Sequence, residues 1–161
     1  MARPAAFSSA SGRYFLREVL TADWPELTDL WIESWQQTFP AIDFAARRGW
    51  FVDRLVALRD EGTGVLVAAF DRATGAMAGF VAMEPQRHWL DQIAVAPCFA
   101  GKQAASDLMA VAEDLAGGHL ILDVNVDNAR ALRFYLGRGF RITGEGGHPA
   151  SGVETLTVGG G

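Results

Sequence analysis

The chain has 161 residues, of which 50% are hydrophobic and 20% are charged, with a net charge of -5 at pH 7 and an isoelectric point near 5.1. This length and composition predict one globular domain with one core and exclude an intrinsically disordered chain. The acidic balance argues against a protein that binds nucleic acid non-specifically.

The cysteine content and the N-terminus bear on location. Cys98 is the single cysteine, so an intramolecular disulfide framework is excluded, and we interpret this residue as incidental. No apolar stretch marks a signal peptide, and no run approaches the roughly 18 apolar residues of a membrane span. We expect a cytoplasmic protein without a membrane or nucleic-acid partner. Residues 1–12 are expected to be flexible, 13–158 to form one domain and 159–161 to be a glycine tail without function.

The first half of the chain predicts a strand, two helices and a hairpin. A short strand over residues 14–19 precedes a helix that Thr21 caps, in which apolar residues recur at helical spacing until Pro40 closes the segment. A second helix follows Asp43 and ends near residues 62–64. Two β-type runs separated by a turn predict a hairpin. They span residues 65–70 and 77–83.

The second half alternates strands and helices. A strand over residues 89–95 is stopped by Pro97, and a helix over 100–116 is ended by two glycines. A buried strand over 120–126 precedes a helix over 128–137. The last strands are predicted at residues 140–142 and 153–158. This order predicts a mixed sheet with helices packed on it.

The stretch from residue 91 to residue 108 combines a strand, a tight turn and a helix that begins among small residues. The first turn of a helix presents unpaired backbone N–H groups and the positive end of the helix dipole, which suits a pyrophosphate. Small residues let a ligand approach the backbone closely. Taken alone, the pattern is also that of an ordinary β–α connection.

This stretch resembles the acetyl-CoA motif of the GNAT acetyltransferase superfamily, in which a strand ending in Val-x-Pro leads into Gln/Arg-x-x-Gly-x-Gly/Ala at a helix start. The three defining positions fall on Ala100, Gln103 and Ala105, of which Ala105 alone fits. Gly101 and Lys102 agree with a common form of the motif.

Residues 122–140 resemble the family more closely, because they follow its pattern Val-x-x-x-Asn-x-x-Ala-x-x-Phe-Tyr-x-x-x-Gly-Phe almost completely. The resemblance then covers residues 14–158. It implies a GNAT-like α/β (α+β) fold, with a mixed, mostly antiparallel central sheet of about six to seven strands flanked by about four helices. It also implies an acetyl-CoA-dependent N-acetyltransferase, an acyltransferase that moves an acetyl group to a primary amine by direct attack in a ternary complex.

The resemblance implies a cofactor site for acetyl-CoA between the strands at 89–95 and 120–126. Backbone groups of Ile93 and Val95 pair with the pantetheine arm, and the N–H of Ala94 or Val95 polarises the thioester carbonyl. Asn128 hydrogen-bonds the arm, and a helix N-cap role fits this residue as well. The pyrophosphate contacts fall on Gly101, Lys102, Gln103, Ala104, Ala105 and Ser106.

Catalytic roles are predicted for two residues. The resemblance gives Tyr135 the role of general acid toward the CoA thiolate, while its neighbour Phe134 is expected to pack in the core. An attacking amine must lose a proton, and Asp91 is the first candidate to accept it and to contact the substrate. Glu84 and His88 are the alternatives.

The acceptor side is marked by aromatic residues in the first two helices. Trp31 and Trp35 lie four residues apart and share a helix face, so each either packs against the sheet or contacts the substrate. Residues 146–152 either close over the acceptor or form a long hairpin loop. The acceptor is expected to be a small-molecule or peptide amine. The protein is expected to be a monomer or a homodimer, and an edge strand at 153–158 is the candidate dimer contact.

A second reading stays open. Ala100 and Gln103 depart from the motif, which favours a GNAT-like acyl-CoA-binding or regulatory module with little or no catalysis. Asn128 and Tyr135 match the motif, which favours an enzyme. No metal site is predicted, because the three histidines lack a convincing ligand spacing.

Overall fold

The computed structural model describes residues 3–145 and 155–160, which form one eight-stranded sheet and four α-helices. The strands are β1 (Ala6–Phe7), β2 (Tyr14–Glu18), β3 (Val65–Asp71), β4 (Met77–Glu84), β5 (Trp89–Val95), β6 (Leu120–Asn125), β7 (Arg141–Glu145) and β8 (Thr155–Gly160). The helices are α1 (Trp24–Thr38), α2 (Arg48–Glu61), α3 (Ala104–Leu115) and α4 (Ala129–Gly137). The predicted α/β class is confirmed.

The sheet order is β1-β2-β3-β4-β5-β6-β8-β7, and every neighbouring pair is antiparallel except β5 and β6. All seven predicted strands are present, and β1 is an additional one. Residues 1–12 were expected to be flexible, whereas Ala6 and Phe7 pair with Arg17 and Leu16 of β2. A two-residue strand carries no hydrophobic alternation, so no sequence pattern predicts it.

The last strand differs from expectation in two ways. β8 lies between β6 and β7, so the edge strand expected there is wrong. The expected glycine tail also enters this strand, since Gly159 pairs with Ile121 and Gly160 with Leu120. Gly160 has φ +153°, and a Cβ there would lie 3.0 Å from the Cα of Phe140. The close packing and the backbone conformation both require glycine.

The central strand β4 shows how the layers form, because all of its residues are buried. Phe80 contacts the ring of Phe51 in α2, with the ring centroids 5.9 Å apart. A Cβ on the preceding residue, Gly79, would lie 3.1 Å from Leu108 of α3. Successive strand residues point to opposite faces, so α2 and α3 cover opposite faces of the sheet. In the part of the chain that the structure describes, none of the helices has the length and hydrophobicity needed to cross a membrane.

The first helix begins later than predicted. A 3-10 turn spans Thr21–Asp23 and α1 starts at Trp24, so Thr21 does not cap it. The carboxylate of Asp23 accepts the backbone N–H of Leu20 at 2.7 Å and the guanidinium of Arg17 at 2.7 Å. Burial alone would raise the pKa of Asp23, and these hydrogen bonds outweigh it and lower that pKa. The side chain that organises this turn is therefore Asp23.

The two parallel strands separate and create the site. β5 pairs with β6 at Trp89 and Ile121, and the N–H of Ile121 donates to the carbonyl of His88 at 2.7 Å. The register between β4 and β5 skips Asp91, which is a β-bulge. Beyond this point no further pairing joins β5 and β6 in the described residues, so a gap opens between them.

Candidate active site

A cavity of about 790 Å³ fills the gap between β5 and β6 and extends to α1 and α2. It collects residues that are far apart in the chain, from both strands, from the starts of α3 and α4 and from the first two helices. Of the predicted site residues, all but Lys102 line it. These are Trp31, Trp35, Asp91, Ile93, Ala94, Val95, Gly101, Gln103, Ala104, Ala105, Ser106, Asn128 and Tyr135.

The separated strand edges supply backbone hydrogen-bonding groups. Ile93, Ala94 and Val95 of β5 and Asp123 to Asn125 of β6 line the cavity where these strands no longer pair with each other. Strand edges of this kind bind an extended chain in the way that they would pair with another strand. The gap therefore suits an extended ligand arm.

The turn before α3 has a special backbone conformation. Gly101 has φ +75° and Gln103 has φ +69°, so the helix begins at Ala104 and not at residue 100 as predicted. The first bond of the helix type joins the N–H of Asp107 to the carbonyl of Gln103 at 3.0 Å. The N–H groups of residues 104–106 precede it and lie at the cavity, where a helix N-terminus suits an anion.

Gln103 is one of two non-glycine residues with positive φ in the described chain, the other being His88. An L-residue in this conformation costs about 1–2 kcal/mol. The motif position that usually holds glycine is thus one where the backbone itself favours glycine. The departure at Gln103 therefore introduces backbone strain as well as a side chain at the cavity.

Lys102 differs from its predicted role. Its side chain does not line the cavity, and its Nζ lies 5.8 Å from the centroid of the Phe99 ring. Its backbone carbonyl accepts the hydroxyl of the fully buried Tyr14 at 2.6 Å. The residue contributes to the loop through its backbone, and a pyrophosphate contact by its ammonium group is not supported.

The N-terminal segment also holds the start of α3. The carboxylate of Asp107, 1% exposed, accepts the hydroxyl of Ser11 at 2.7 Å and its N–H at 3.1 Å. The hydroxyl of Ser9 donates to the same carboxylate. Ser9 and Ser11, with Tyr14, therefore fix the loop that carries the first turn of α3.

Asn128 and Tyr135 bracket α4. The Oδ1 of Asn128 accepts the N–H of Ala131 at 3.2 Å, so the N-cap role is present. Tyr135 lies in the last full turn, 5% exposed, with its ring edge-on to Phe134 and Phe140. Burial raises the pKa of Tyr135, so the hydroxyl stays protonated. Among the described residues it has no hydrogen-bond partner, although such groups are normally paired.

Asp91 is held by donors on both oxygens. Arg54 donates through Nε to Oδ2 at 2.9 Å and through Nη2 to Oδ1 at 2.5 Å, and Trp89 donates its Nε1–H to Oδ1 at 3.2 Å. The side chain of Asp91 is 1% exposed. The hydrogen bond that Arg54 donates to Asp91 is the main cause that raises the pKa of Arg54. Both oxygens already accept hydrogen bonds within the protein and the side chain is almost fully covered, so the geometry does not support Asp91 as the base.

The two alternative bases lie elsewhere. Neither Glu84 nor His88 lines the cavity. Glu84 pairs with Arg87 at 2.7 Å, and the Nδ1 of His88 lies 2.8 Å from the carbonyl oxygen of Ala116. Neither side chain is placed to take a proton from an amine in the cavity.

The tryptophans divide between core and cavity. Trp31 is buried, stacks on Phe51 at 4.2 Å and donates its Nε1–H to Gln92 at 3.3 Å, so packing is its main role. Trp35 is half-buried and stacks on two phenylalanines. Trp50, in α2, is 41% exposed and lines the cavity. The open aromatic surface on the acceptor side is therefore mainly that of Trp35 and Trp50.

Sequence reasoning missed four charged residues of the cavity wall, Arg47, Arg54, Asp123 and Arg130. One signal was available for Arg54, which follows Trp50 by four residues and so shares its helix face. In residues 3–145 and 155–160, no group of three or more His, Cys, Asp or Glu is placed to hold a metal ion.

Residues 24–140 match the sequence profile of the acetyltransferase (GNAT) family. The chain therefore belongs to this family, and its acetyltransferase class agrees with the fold and the cavity. No curated protein matches the chain.

Solved structures give the same fold. PaiA N-acetyltransferase from Thermoplasma acidophilum, in complex with coenzyme A, is 17% identical, with a TM-score of 0.72 over 90% of this chain and 96% of that one. Apo-form YjaB from Escherichia coli is 23% identical, with a TM-score of 0.70 over 89% and 95%. Nourseothricin acetyltransferase is 28% identical, with a TM-score of 0.52, and the match covers 62% of this chain and 66% of that protein.

Proposed function

We propose that the protein is an acetyl-CoA-dependent N-acetyltransferase that moves an acetyl group to a primary amine of a small molecule or peptide in a ternary complex. The observation that carries the proposal is Tyr135, a buried residue of the cavity wall whose hydroxyl has no partner in the described chain. A polar group in that situation is explained by a ligand that pairs with it.

The residues present fit the cofactor. The strand edges at Ile93 to Val95 suit the amides of a pantetheine arm, and the first turn of α3 suits a pyrophosphate. The amide nitrogen of Asn128 makes no hydrogen bond among the described residues and remains available for the arm. The PaiA protein, which has the same fold, was solved in complex with coenzyme A.

The proposed acetyl transfer needs few contributions from side chains. Acetyl-CoA supplies the acetyl group as a thioester, and the neutral amine attacks its carbonyl carbon, so a C–N bond forms, the C–S bond breaks and sulfur leaves as a thiolate. The N–H of Ala94 or Val95 stabilises the carbonyl oxygen. Tyr135 donates a hydrogen bond to the sulfur. Because a thiol has a pKa of about 8.5 and burial raises the pKa of Tyr135, full proton transfer from the tyrosine is unfavourable.

The amine proton then needs another destination. Since Asp91 is covered and held by three donors from Arg54 and Trp89, we propose that Asp91 positions Arg54 and that the amine reacts as its neutral fraction, with its proton passing to solvent. This predicts that kcat/KM rises with pH until the pKa of the acceptor amine is reached. The inflection should move when acceptors of different basicity are compared.

The second candidate is an acyl-CoA-binding or regulatory module with little or no catalysis. Gln103 strains the pyrophosphate turn, Ala100 has no side-chain donor, and the ammonium of Lys102 does not line the cavity. These features favour weak cofactor binding. The unpartnered hydroxyl of Tyr135 favours a bound thioester in either case, so turnover is what separates the enzyme from an acyl-CoA-binding module.

The test is a screen of primary amines with acetyl-CoA, read by release of free thiol and by mass spectrometry of the acetylated product. Turnover with at least one amine, stopped by omission of the protein, supports the enzyme. Binding of CoA by calorimetry without turnover on any amine supports the module instead. Monomer or homodimer, and a cytoplasmic location, stay predictions.

A further inference from the structure

We propose that the acceptor is an amine that also carries a carboxylate and an apolar or aromatic body, as in an amino acid or a short peptide with a free C-terminus. This inference rests on the proposed N-acetyltransferase function and names the substrate class of the same cavity. Its recognition group is the guanidinium of Arg54, next to the ring of Trp50.

Arg54 is fixed in place and still partly open. Its Nε and Nη2 donate to Asp91, whereas its Nη1 makes no hydrogen bond among the described residues. The side chain is 43% exposed and lines the cavity. A guanidinium held on one edge is pre-organised, because its planar fork no longer loses freedom when a carboxylate binds the other edge.

Charge on the acceptor side opposes a polycation. In the described part of the wall that α1, α2 and β5 form, the charged side chains are Arg54 and Asp91. The carboxylate of Asp91 is 1% exposed and accepts three hydrogen bonds, so it offers no accessible oxygen to an ammonium group. The guanidinium of Arg54 is exposed while the carboxylate that it pairs with is covered, which favours an acceptor that brings negative charge.

The body of the acceptor is set by the aromatic surface. Trp50 is 41% exposed, and the guanidinium carbon of Arg54 lies 5.9 Å from its ring centroid. Trp35 adds a second, half-buried ring to the same wall. An apolar or aromatic group placed on these rings removes their surface from water while its carboxylate remains at Arg54.

The distance to the reacting end defines the acceptors to compare. Asp91 and Ala94 are three residues apart on β5, which corresponds to roughly 10 Å of strand. The amine must reach the Ala94 end while the carboxylate stays at Arg54. The amine lies beside the carboxylate in phenylalanine and one residue farther from it in the dipeptide Gly-Phe, so the series tests both reaches. It pairs phenylalanine with phenylalaninamide and Gly-Phe with its C-terminal amide, and it adds spermidine and nourseothricin as acceptors without a carboxylate.

The experiment measures kcat/KM for each acceptor at one pH, together with dissociation constants for the same acceptors and CoA-loaded protein by calorimetry. Within at least one pair the carboxylate form should be preferred by about tenfold or more, which corresponds to about 1.4 kcal/mol. The amine of each amide is less basic than that of its carboxylate form, so more of it is neutral and reactive at the assay pH. This difference favours the amides and therefore works against the expected result. Equal values within both pairs, or a preference for spermidine or nourseothricin, would overturn the proposal.

Variants then test the assignment to Arg54. Arg54→Gln alone leaves a buried carboxylate without its partner and endangers the fold, so the test variant is the double substitution Arg54→Gln/Asp91→Asn. The carboxylate preference should fall to about one in this variant. Arg48→Gln is the matched control, because Arg48 lies on the same helix, pairs with Asp29 at the surface and does not line the cavity. A preference that survives the double substitution contradicts the role of Arg54.

Different results would contradict the proposed function and the proposed acceptor class. If no amine turns over and CoA does not bind, the proposed N-acetyltransferase function is wrong. If amines turn over without a carboxylate preference, the function stands and the acceptor class is wrong. If CoA binds without turnover, the binding constants of the acceptor pairs still decide the acceptor class.

Discussion

Tyr135 keeps a hydroxyl where a phenyl ring would pack equally well. The ring contacts Phe134 and Phe140, and the hydroxyl has no partner in the described residues. A buried hydroxyl without a partner costs about 1–3 kcal/mol. This cost in the ligand-free protein is explained if the hydroxyl pairs with a ligand that binds in the cavity.

The substitution Tyr135→Phe separates the two roles of the residue. We expect kcat to fall about ten- to a hundredfold, because the hydrogen bond to the leaving sulfur is lost. The free energy of unfolding of the ligand-free protein should stay the same or rise by up to about 1 kcal/mol. Kinetics and urea unfolding measure the two effects.

Tyr14→Phe is the matched control, because the hydroxyl of Tyr14 donates to the carbonyl of Lys102. Its removal should lower the free energy of unfolding by about 1 kcal/mol. If Tyr135→Phe turns over a good acceptor at the wild-type rate, Tyr135 is a packing residue.

Alkaline unfolding gives a second view of Tyr135. Burial raises its pKa in the folded protein, so above pH 10 the unfolded chain releases a proton that the native protein keeps. The native state then binds more protons than the unfolded state, and stability falls as pH rises. Tyr135→Phe should make this fall less steep.

Gln103 tests whether the turn before α3 is strained. Gln103→Gly should raise the free energy of unfolding by about 0.5–1 kcal/mol. Glycine removes the strain of the positive φ in the folded protein, but part of this gain is lost because glycine makes the unfolded chain more flexible. CoA should bind more tightly, by up to about tenfold, with a smaller change in kcat. Gln103→Ala is the control, since it removes the side chain beyond Cβ but keeps the strain. An unchanged CoA dissociation constant in both variants would show that this position does not touch the cofactor.

At the residue scale, the sequence predicts the groups that lie in continuous motifs. Asn128 and Tyr135 belong to one short pattern, and the structure brings both to the cavity. The partner of Asp91 was not predictable, because Arg54 is 37 residues away on α2 and no local pattern joins them. Long-range pairs of this kind depend on how helices pack, so the sequence did not predict that Arg54 holds the carboxylate of Asp91.

At the element scale, the N-terminal segment and α3 act together through Asp107. Its buried carboxylate accepts three hydrogen bonds from Ser9 and Ser11. Asp107→Ala should lower the free energy of unfolding by about 2–3 kcal/mol, because hydrogen bonds to a charged group are lost from a buried site. Asp114→Ala on the same helix, where the side chain is exposed, should change it by less than about 0.5 kcal/mol. Equal effects in urea unfolding of the two variants would contradict this role of the segment.

The prediction of helices and strands succeeded where a local hydrophobic pattern marks the element, and it failed where contacts between distant residues set the boundary or the strand order. All seven predicted strands were found. The start of α3 moved from residue 100 to Ala104 because Gly101 and Gln103 adopt positive φ. The position of β8 between β6 and β7 is a matter of strand order, which no local pattern encodes.

At the scale of the whole molecule, the sheet is interrupted by the gap between β5 and β6. β5 and β6 pair at Trp89 and then separate, and α3 and α4 begin beside the gap. A ligand that pairs with both strand edges and with the start of α3 would join the two halves of the sheet. Ligand binding to the folded state should therefore be visible as global stabilisation.

We expect CoA to raise the melting temperature in a concentration-dependent way. At a free CoA concentration of 100 times Kd the added stability is about 2.7 kcal/mol. For a chain of 161 residues, each kcal/mol moves the melting temperature by about 2–4 °C, so the expected shift is about 5–10 °C. Pantetheine, which lacks the pyrophosphate, should give a smaller shift at the same concentration, because it leaves the N–H groups at the start of α3 unpaired. No shift at millimolar CoA, together with no heat of binding by calorimetry, would show that the separated strands do not bind this cofactor.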